Sequence, residues 1–459
     1  MSDAGGELGE TISIGRYRDK IVYGPILRIL LWLGAPPLLN QMIIIVYNTA
    51  DAYWLSQYSD ILVAVPRQVW PIYMFFNAFA MALTASSLSI ISQYVGGRSY
   101  REASQSASRF FTISFLTGFS LCLALLTLKE HIFTQLISTP SEIFSDVIKY
   151  SSIMAFDIFL GYISLTFTTI LQSVGETRKP ALVNCIAVGL NILLDPFLVL
   201  GISPFPRLGV VGAALTDVMG KILSTLLLAY IARMGYPDLR ITFTKDMNFE
   251  WVILITRVSL PVLALGLTNS FAFIAQMRIV NALGIIAATS YAIGFVILDI
   301  VDGALFGLTS AVSVMVGQSL GAADIKRARE VAYKAFLLVF ILVSLGAAII
   351  YPFKEPLIRV FTDDQKIMAE TNLFLETLLP TLPFFGLFMV AMSVGRGSGH
   401  TLIPTLIGIF RLWGIRILLG YILTFILNAG PWGDLVCYGA KQCYRWCRIP
   451  PMDKIWRLE

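Results

Sequence analysis

The chain has 459 residues, of which 56% are apolar and only 14% are charged, and its formal net charge is +5. A soluble protein of this length cannot bury so much apolar surface, and a disordered chain would carry far more charge, so both classes are excluded. The composition indicates a polytopic membrane protein, with about a dozen spans at roughly 30 residues per span and loop. Because the charge excess is small and spread over short loops, nucleic acid is not an expected partner.

Residues 1–25 are polar and lack the apolar core of a cleaved signal peptide, so they are predicted to form a cytosolic tail. Apolar stretches long enough to span a membrane follow, six before a polar linker at 234–250 and five after it. The predicted fold is an all-α integral membrane protein with two lobes, at 26–233 and 251–433. The stretches are 26–50, 61–92, 106–128, 143–173, 180–202, 208–232, 251–276, 283–316, 329–352, 367–394 and 401–427.

Basic residues predict the orientation of these spans. Loops on the same side as the tail hold more than twice as many Lys and Arg residues as the loops on the other side. The positive-inside rule therefore places the N-terminus in the cytosol. The chain has only two His and no Cys-x-x-Cys pair, so neither a zinc nor a redox cofactor is expected. The sequence therefore offers few candidate residues for the catalytic site of a membrane-embedded enzyme.

Three motifs recur in the same order at an offset of 224 or 225 residues. The pairs are Pro36 and Pro261, Gln93-Tyr-Val-Gly96 and Gln318-Ser-Leu-Gly321, and Gly175-x-Thr177-x-x-Pro180 and Gly399-x-Thr401-x-x-Pro404. Because the repeat contains an even number of helices, both halves have the same orientation and are related by a pseudo-two-fold axis along the membrane normal. Two lobes that face each other imply a cavity between them, and hence a transporter.

These motifs resemble the multidrug and toxic compound extrusion (MATE) family. Further matching segments are Gln172-Ser-Val-Gly-Glu-Thr177, Asn191-x-x-x-Asp195-Pro196 and Gly209-Val-Val-Gly-Ala-Ala214. The resemblance covers about residues 25–430. It implies a monomeric antiporter of the prokaryotic inner membrane that exports organic, often cationic, small molecules in exchange for protons or sodium. The alternative is a lipid-linked oligosaccharide flippase of the same superfamily, although acids in the first lobe argue against a cavity built for phosphate.

Two acids lie within the apolar stretches of the first lobe. Asp195 is about 16 residues into its stretch, roughly 24 Å from the cytosolic side, and Asp51 ends the first stretch. Because an ionised carboxylate is costly in the bilayer core, each acid is expected to exchange a proton or bind a cation. Structural alternatives are a bracing or capping role for Asp195 before Pro196, and a position at the water interface for Asp51. Asn191 lies one turn before Asp195 and shares its helix face.

The resemblance assigns roles to these residues. It makes Asp51, Asn191 and Asp195 the cation-coupling cluster, with a possible sodium site at Asp51 and Asp195. Pro36 resembles the proline at which the first helix bends, so protonation of the acids is expected to change that bend and close the lobe. Tyr47, one turn before Asp51, is predicted to be its hydrogen-bond partner and to line the cavity, or else to be an interfacial aromatic.

Asp217 departs from the family pattern. A small or hydroxyl residue usually follows Gly-Ala-Ala in the sixth span, whereas Thr216 and Asp217 follow here. If Asp217 faces the cluster, three carboxylates share it, which favours a cation or more than one proton. If it faces the outside of the lobe, it is only a polar residue near the helix start.

The second lobe does not repeat the acids. The residues at the offsets of Asp51 and Asp195 are Gln276 and Leu419. Some branches of the family have an acid in the seventh span, and its absence argues against a sodium site in this lobe.

Charged residues do occur elsewhere in the second lobe. Asp299 and Asp302 share a face of the eighth span, and Arg411 and Arg416 lie in the eleventh. One prediction is that these acids and arginines form an ion pair between the two spans. The alternative is that Asp299 and Asp302 form a second cation site or bind the substrate.

The end of the chain is unusual. The family has a twelfth span after Gly433, but residues 434–459 include Lys441, Arg445 and Arg448, which are too costly to place in a bilayer. The hypothesis is a frameshift after Gly433, in the gene or in its sequencing, that replaces the last helix. If the tail is genuine, the second lobe lacks one wall and the protein is an inactive, truncated transporter.

Overall fold

The protein was analysed as a computed structural model, which describes residues 13–58, 62, 64–282, 284–419, 421, 422 and 426. A short helix, Arg18–Tyr23, precedes the long ones. The long helices are α1 (Ile26–Tyr58), α2 (Ala64–Gly96), α3 (Tyr100–His131), α4 (Ser141–Ser173), α5 (Arg178–Leu200), α6 (Val210–Gly235), α7 (Phe249–Ala282), α8 (Ile285–Gly321), α9 (Ile325–Ile350), α10 (Gln365–Leu378), α11 (Leu382–Ser398) and α12 (Leu402–Phe410), the last continued by a π-helix at Arg411–Leu419.

The described residues contain 10 helical segments that are long and apolar enough to cross a membrane. In addition, α8 is 37 residues long, which exceeds the length a span requires. Each of these segments coincides with one of the predicted apolar stretches. The stretch at 367–394 is divided into α10 and α11 by a 3₁₀ turn at Leu379–Thr381, because Pro380 has no N–H to continue the α-helical hydrogen bonds.

The helices form the two expected groups. In the first group α4 packs against α2, α3 and α6, and α5 packs against α1 and α6. In the second group α8 packs against α9, α10 and α11. The groups meet where α1 lies against α8 and α2 lies against α7 and α8. The predicted tail at 434–459 and the position of a twelfth span lie outside the described residues.

The repeat is visible in the backbone as well as in the sequence. Gly175 and Gly399 both adopt a left-handed conformation, with φ of 92° and 81°. Each ends the fourth long segment of its half and turns the chain into the next helix, α5 or α12. Glycine is favoured at such positions because a Cβ atom would be strained there.

The described part of the predicted tail is docked on the helices. The guanidinium group of Arg18 donates two hydrogen bonds to the carbonyl oxygen of Gly96, at 3.0 and 2.9 Å. Arg327, at the start of α9, donates to the carbonyl oxygens of Ile21 and Gly24 at 2.8 and 2.6 Å. The segment 13–24 therefore connects the ends of α2 and α9, which belong to different lobes.

The linker between the lobes lies along α3. The hydroxyl of Ser108 donates to the carbonyl oxygen of Arg240 at 2.6 Å, and the backbone N–H of Thr244 donates to Thr112 at 3.1 Å. The buried Arg109 forms an ion pair with Asp246 at 2.7 Å. These bonds hold the linker against the first lobe.

Candidate functional site

A cavity of about 570 Å³ opens within the first lobe. Its wall comes from α1, α2, α4, α5 and α6, with a contribution from α8 at Gly307 and Ser310. Four charged and four large aromatic side chains line it. They are Asp51, Asp157, Asp217 and Lys221, and Tyr47, Trp70, Tyr73 and Tyr150.

Asp51 and Asp195 each have a buried oxygen atom without a partner. Asp195 is fully buried beside the cavity, and its Oδ1 accepts a hydrogen bond of 2.6 Å from the hydroxyl of Thr216. Its Oδ2 has no hydrogen-bond partner, and neither has Oδ1 of Asp51. The two carboxylates also repel each other electrostatically when both are ionised. Since an unpaired buried charge is strongly unfavourable, this pair is suited to take up a proton or a cation.

Tyr47 does not bond to Asp51 as predicted. Its hydroxyl donates instead to Oδ1 of Asp217 on α6. The helical spacing does place Tyr47 and Asp51 on one face, but a long side chain points back toward the start of its helix, so the hydroxyl lies away from the residue one turn later. As predicted, Tyr47 lines the cavity.

Of the two orientations predicted for Asp217, the structure has the inward one. Besides the bond from Tyr47, its Oδ1 lies 3.3 Å from the amide of Asn191. The side-chain amide of Asn191 also fits in the opposite orientation. Its nitrogen then donates to the carbonyl oxygens of Ala187 and Thr216, at 3.1 and 2.8 Å, and its oxygen faces Asp217. That contact becomes a hydrogen bond when Asp217 holds a proton.

Thr216 and Asn191 thus bond to Asp195 and Asp217, but the acids do not form a compact metal cage. Among the described residues there is no group of three or more His, Cys, Asp or Glu side chains placed to hold a metal ion. Thr216 was not predicted as part of the site, although its position directly before Asp217 was the available signal. The possible sodium site at Asp51 and Asp195 stays a prediction.

Pro36 lies inside α1, and the helix continues through it to Tyr58. Pro36 and Pro37 each lack an N–H, so the carbonyl groups one turn earlier lose their helical partners. Pro37, rather than Pro36, contributes to the cavity wall. The proposed change of bend at Pro36 stays a prediction.

Two charged residues in the cavity were missed by the sequence reasoning. Asp157 lies on α4, is 5% exposed, and has an Oδ1 without a hydrogen-bond partner. Lys221 lies on α6, one turn after Asp217. Both lie inside predicted apolar stretches, and a survey of every charge within those stretches would have found them.

The second lobe differs in its buried polar groups. The guanidinium of Arg411 lies over the rings of Phe385 and Phe388, at 5.1 and 4.2 Å. Gln276, at the position equivalent to Asp51, is 1% exposed. The side chains of Asp299 and Asp302 lie outside the described residues, and the role predicted for them stays a prediction.

A symmetric contact joins the lobes at the end of the molecule where segment 13–24 lies. Nε2 of Gln93 donates to the carbonyl oxygen of Gly397, and Nε2 of Gln318 donates to that of Ser173, both at 3.0 Å. A Cβ atom on Gly96 would overlap the backbone of Gln318, and one on Gly321 would overlap that of Gln93. We call this contact, formed by Gln93–Gly96, Gln318–Gly321, Ser173 and Gly397, the seal.

Comparison with known proteins decides the family. The MatE family model matches residues 36–197 and again residues 261–422, in two copies separated by the offset of the sequence repeat. The chain belongs to the MatE family. It is a multi-pass membrane transporter rather than an enzyme, as its family relatives are. The tail from 434 onward lies outside both matches.

Among relatives of this MatE-family chain is the "Probable multidrug resistance protein YoeA" of Bacillus subtilis, 25% identical over 82% of each chain. A "FAD transporter" of Shewanella oneidensis is 23% identical over 79% of this chain and 80% of its own. A solved structure of a multidrug resistance MATE family transporter in the outward-facing conformation has a TM-score of 0.85 at 21% identity, covering 93% of this chain and 94% of that one. The structural likeness confirms the predicted two-lobed fold.

Proposed function

We propose that this MatE-family protein is a secondary active antiporter that exports organic, cationic or amphipathic compounds in exchange for protons or sodium. The observation that carries the proposal is the pair of unpartnered carboxylate oxygens, one on Asp51, which lines an aromatic cavity, and one on Asp195, one helical turn from the cavity residue Asn191. A coupling ion has a reason to bind there, and an apolar compound has a surface to bind beside it. The relatives named as multidrug resistance proteins support the same substrate class.

Coupling follows from the cost of the two negative charges. When both Asp51 and Asp195 are ionised, their repulsion favours any state in which water or a cation reaches them. Binding of a proton or a sodium ion removes that cost in one conformation more than in the other. Since a ligand shifts a conformational equilibrium only by its differential affinity, this difference drives alternating access. Asp217, bonded to Tyr47 on α1, would transmit the change between α1 and α6.

The seal supports an alternating-access cycle. It brings the ends of α2 and α8 into backbone contact beside segment 13–24, which is the contact expected when the lobes are closed at that end. With the N-terminus in the cytosol, as the basic loops favour, this is a state closed to the cytosol. The proposed location is the inner membrane of a prokaryotic cell, with a monomer as the working unit.

The cavity favours this function over a lipid-linked oligosaccharide flippase. A flippase has to bind a pyrophosphate group and would need a surplus of basic residues in its cavity. Here three carboxylates and one lysine line the cavity in the described part of the chain.

Transport by purified protein in liposomes, with a proton gradient and a sodium gradient imposed separately, tests the proposal and identifies the ion. We expect Asp195→Asn to abolish ion-driven efflux of a fluorescent cationic dye, because a neutral amide cannot exchange the ion. Asp363→Asn, which changes an exposed loop carboxylate in the same way, should transport like the wild type. Ion-driven efflux that persists in Asp195→Asn at the wild-type rate would refute the assignment.

A further inference from the structure

The charged pair Asp157 and Lys221 is not needed for ion coupling, which Asp51 and Asp195 already provide. Both nevertheless line the cavity, on the adjacent helices α4 and α6. Within the described residues neither side chain forms an ion pair at 4.0 Å or less, although Lys221 interacts electrostatically with Asp157 and Asp217. A lysine placed inside a lipid-embedded lobe is costly, and such residues usually mark a functional path or site.

Asp157 presents an atom that lacks a binding partner. It is 5% exposed, and its Oδ1 has no hydrogen bond from the protein. A carboxylate oxygen in this position is stabilised when a donor enters the cavity, and a protonated amine is the strongest such donor in a small organic compound. Lys221 has the complementary requirement, since its ammonium group donates hydrogen bonds and accepts none.

The aromatic wall beside this pair indicates the shape of the compound. Trp70 and Tyr73 lie on α2 with their rings stacked, at a centroid distance of 5.7 Å and an interplanar angle of 22°. Both line the cavity, as do Asp157 and Lys221. Flat rings in this arrangement offer a stacking surface for a planar aromatic group.

We propose that Asp157 and Lys221 form a subsite that selects planar aromatic zwitterions, with Lys221 binding the substrate's carboxylate and Asp157 its protonated amine. This assignment rests on the proposed export function and adds the substrate class to it. A purely cationic compound fills only the half of the subsite at Asp157 and meets repulsion from Lys221. A zwitterion satisfies both charges, so Lys221 sets the preference.

The test compares two dyes that differ in a single charge: a rhodamine that has unsubstituted amino groups, and therefore cationic N–H donors, together with a free carboxylate, and the methyl ester of the same rhodamine. Their affinities for the purified protein are measured at neutral pH by fluorescence polarisation. We expect Lys221→Met to weaken binding of the free acid by about tenfold or more, the value of a hydrogen bond between charged groups. The same variant should bind the ester as well as the wild type does, or better, because the repulsive ammonium is gone.

Three further variants separate selection from a structural role. Lys221→Arg keeps the positive charge and should keep the preference for the free acid. Asp157→Asn should weaken both dyes by a similar factor, because both carry the amine. Lys326→Met, an identical change at an exposed residue near the start of α9, should alter neither affinity. Gel filtration of each variant checks that the protein remains folded.

An equal loss for both dyes in Lys221→Met, or a wild-type protein that binds neither dye, overturns the subsite. The antiporter function alone would be overturned if the wild type discriminated between the dyes in the binding assay but transported neither of them when a proton or sodium gradient was imposed on liposomes. Binding and transport therefore test the two proposals separately.

Discussion

The two lobes have the same succession of helices but differ in which charged residues these helices carry. The first lobe has Asp51 and Asp195 where the second has Gln276 and Leu419. The helices of the second lobe carry Arg411 and Arg416 as well as the acids Asp299 and Asp302. The repeat is closest where the lobes touch each other, at the seal. Both copies of the motif take part in the backbone contact at the seal, whereas the interiors of the two lobes carry different polar groups.

The difference between Asp51 and its counterpart Gln276 gives the largest effect on transport that we expect from a substitution. Asp51→Gln gives the first lobe the residue that Gln276 provides in the second. We expect ion-driven transport to fall by about 100-fold, near the upper end of typical coupling free energies, because a glutamine cannot gain or lose a proton. The measurement is efflux from liposomes under a fixed ion gradient. Gln276→Asn, a conservative change at the equivalent position of the second lobe, should leave the ion dependence of transport unaltered. Transport by Asp51→Gln at the wild-type rate would show that the acid of the first lobe is not required for ion coupling.

The two equivalent glycines of the seal give a prediction of intermediate size, which concerns the stability of the closed state. Gly96→Ala and Gly321→Ala each introduce a methyl group that overlaps the backbone of the other lobe, so each should destabilise the closed state by about 1–3 kcal/mol. Labelling of a cysteine introduced near the seal should become faster in both variants. Gly346→Ala on α9, where a methyl group meets nothing within 4 Å, is the matched control. A closed population equal to that of the wild type in both variants would show that the seal does not depend on this contact.

The smallest effect concerns the two copies of the turn after the fourth and tenth spans. His400 in the second copy replaces Glu176 of the first. Burial, and then the nearby Arg257, lower the pKa of His400 below its usual 6.5. The folded state therefore binds a proton less readily than the unfolded state, so stability present above pH 6.5 is lost as the pH falls below it.

Because His400 is partly exposed, this loss should stay below about 1 kcal/mol. Thermal unfolding in detergent between pH 8 and pH 5 measures it, and His400→Gln should reduce the slope. His131→Gln, at the end of α3, serves as the control. If the thermal stability of His400→Gln depended on pH as that of the wild type does, the pH dependence would have to come from other groups.

Much of the fold could be predicted from the sequence because lipid imposes long apolar helices and the repeat fixes their order. The acids were found for the same reason, since a carboxylate such as Asp195 stands out in an apolar stretch. The partner of Tyr47 could not be predicted, because it depends on how α1 lies against α6. The role of Thr216 depends on how α5 and α6 lie together, whereas Asp157 and Lys221 are visible in the sequence as charges within the predicted spans.

The docking of segment 13–24 was also beyond prediction from the sequence. A polar start of chain looks the same whether it is free in water or bound to a surface, and only the three-dimensional positions of Gly96 and Arg327 reveal the attachment. The position of the linker is equally hard to predict, because its bonds to α3, apart from the ion pair of Arg109 with Asp246, involve backbone atoms, which every sequence has.

The attachment of segment 13–24 to both lobes bears on the speed of the transport cycle. Arg18 holds the end of α2, and Arg327 at the start of α9 holds the same short segment. Any movement that separates these two helices has to break at least one set of charge-assisted hydrogen bonds before new contacts form. We therefore expect the breaking of these bonds to contribute to the activation barrier, so that the segment affects how often the protein changes state but not how tightly the cavity binds its substrate.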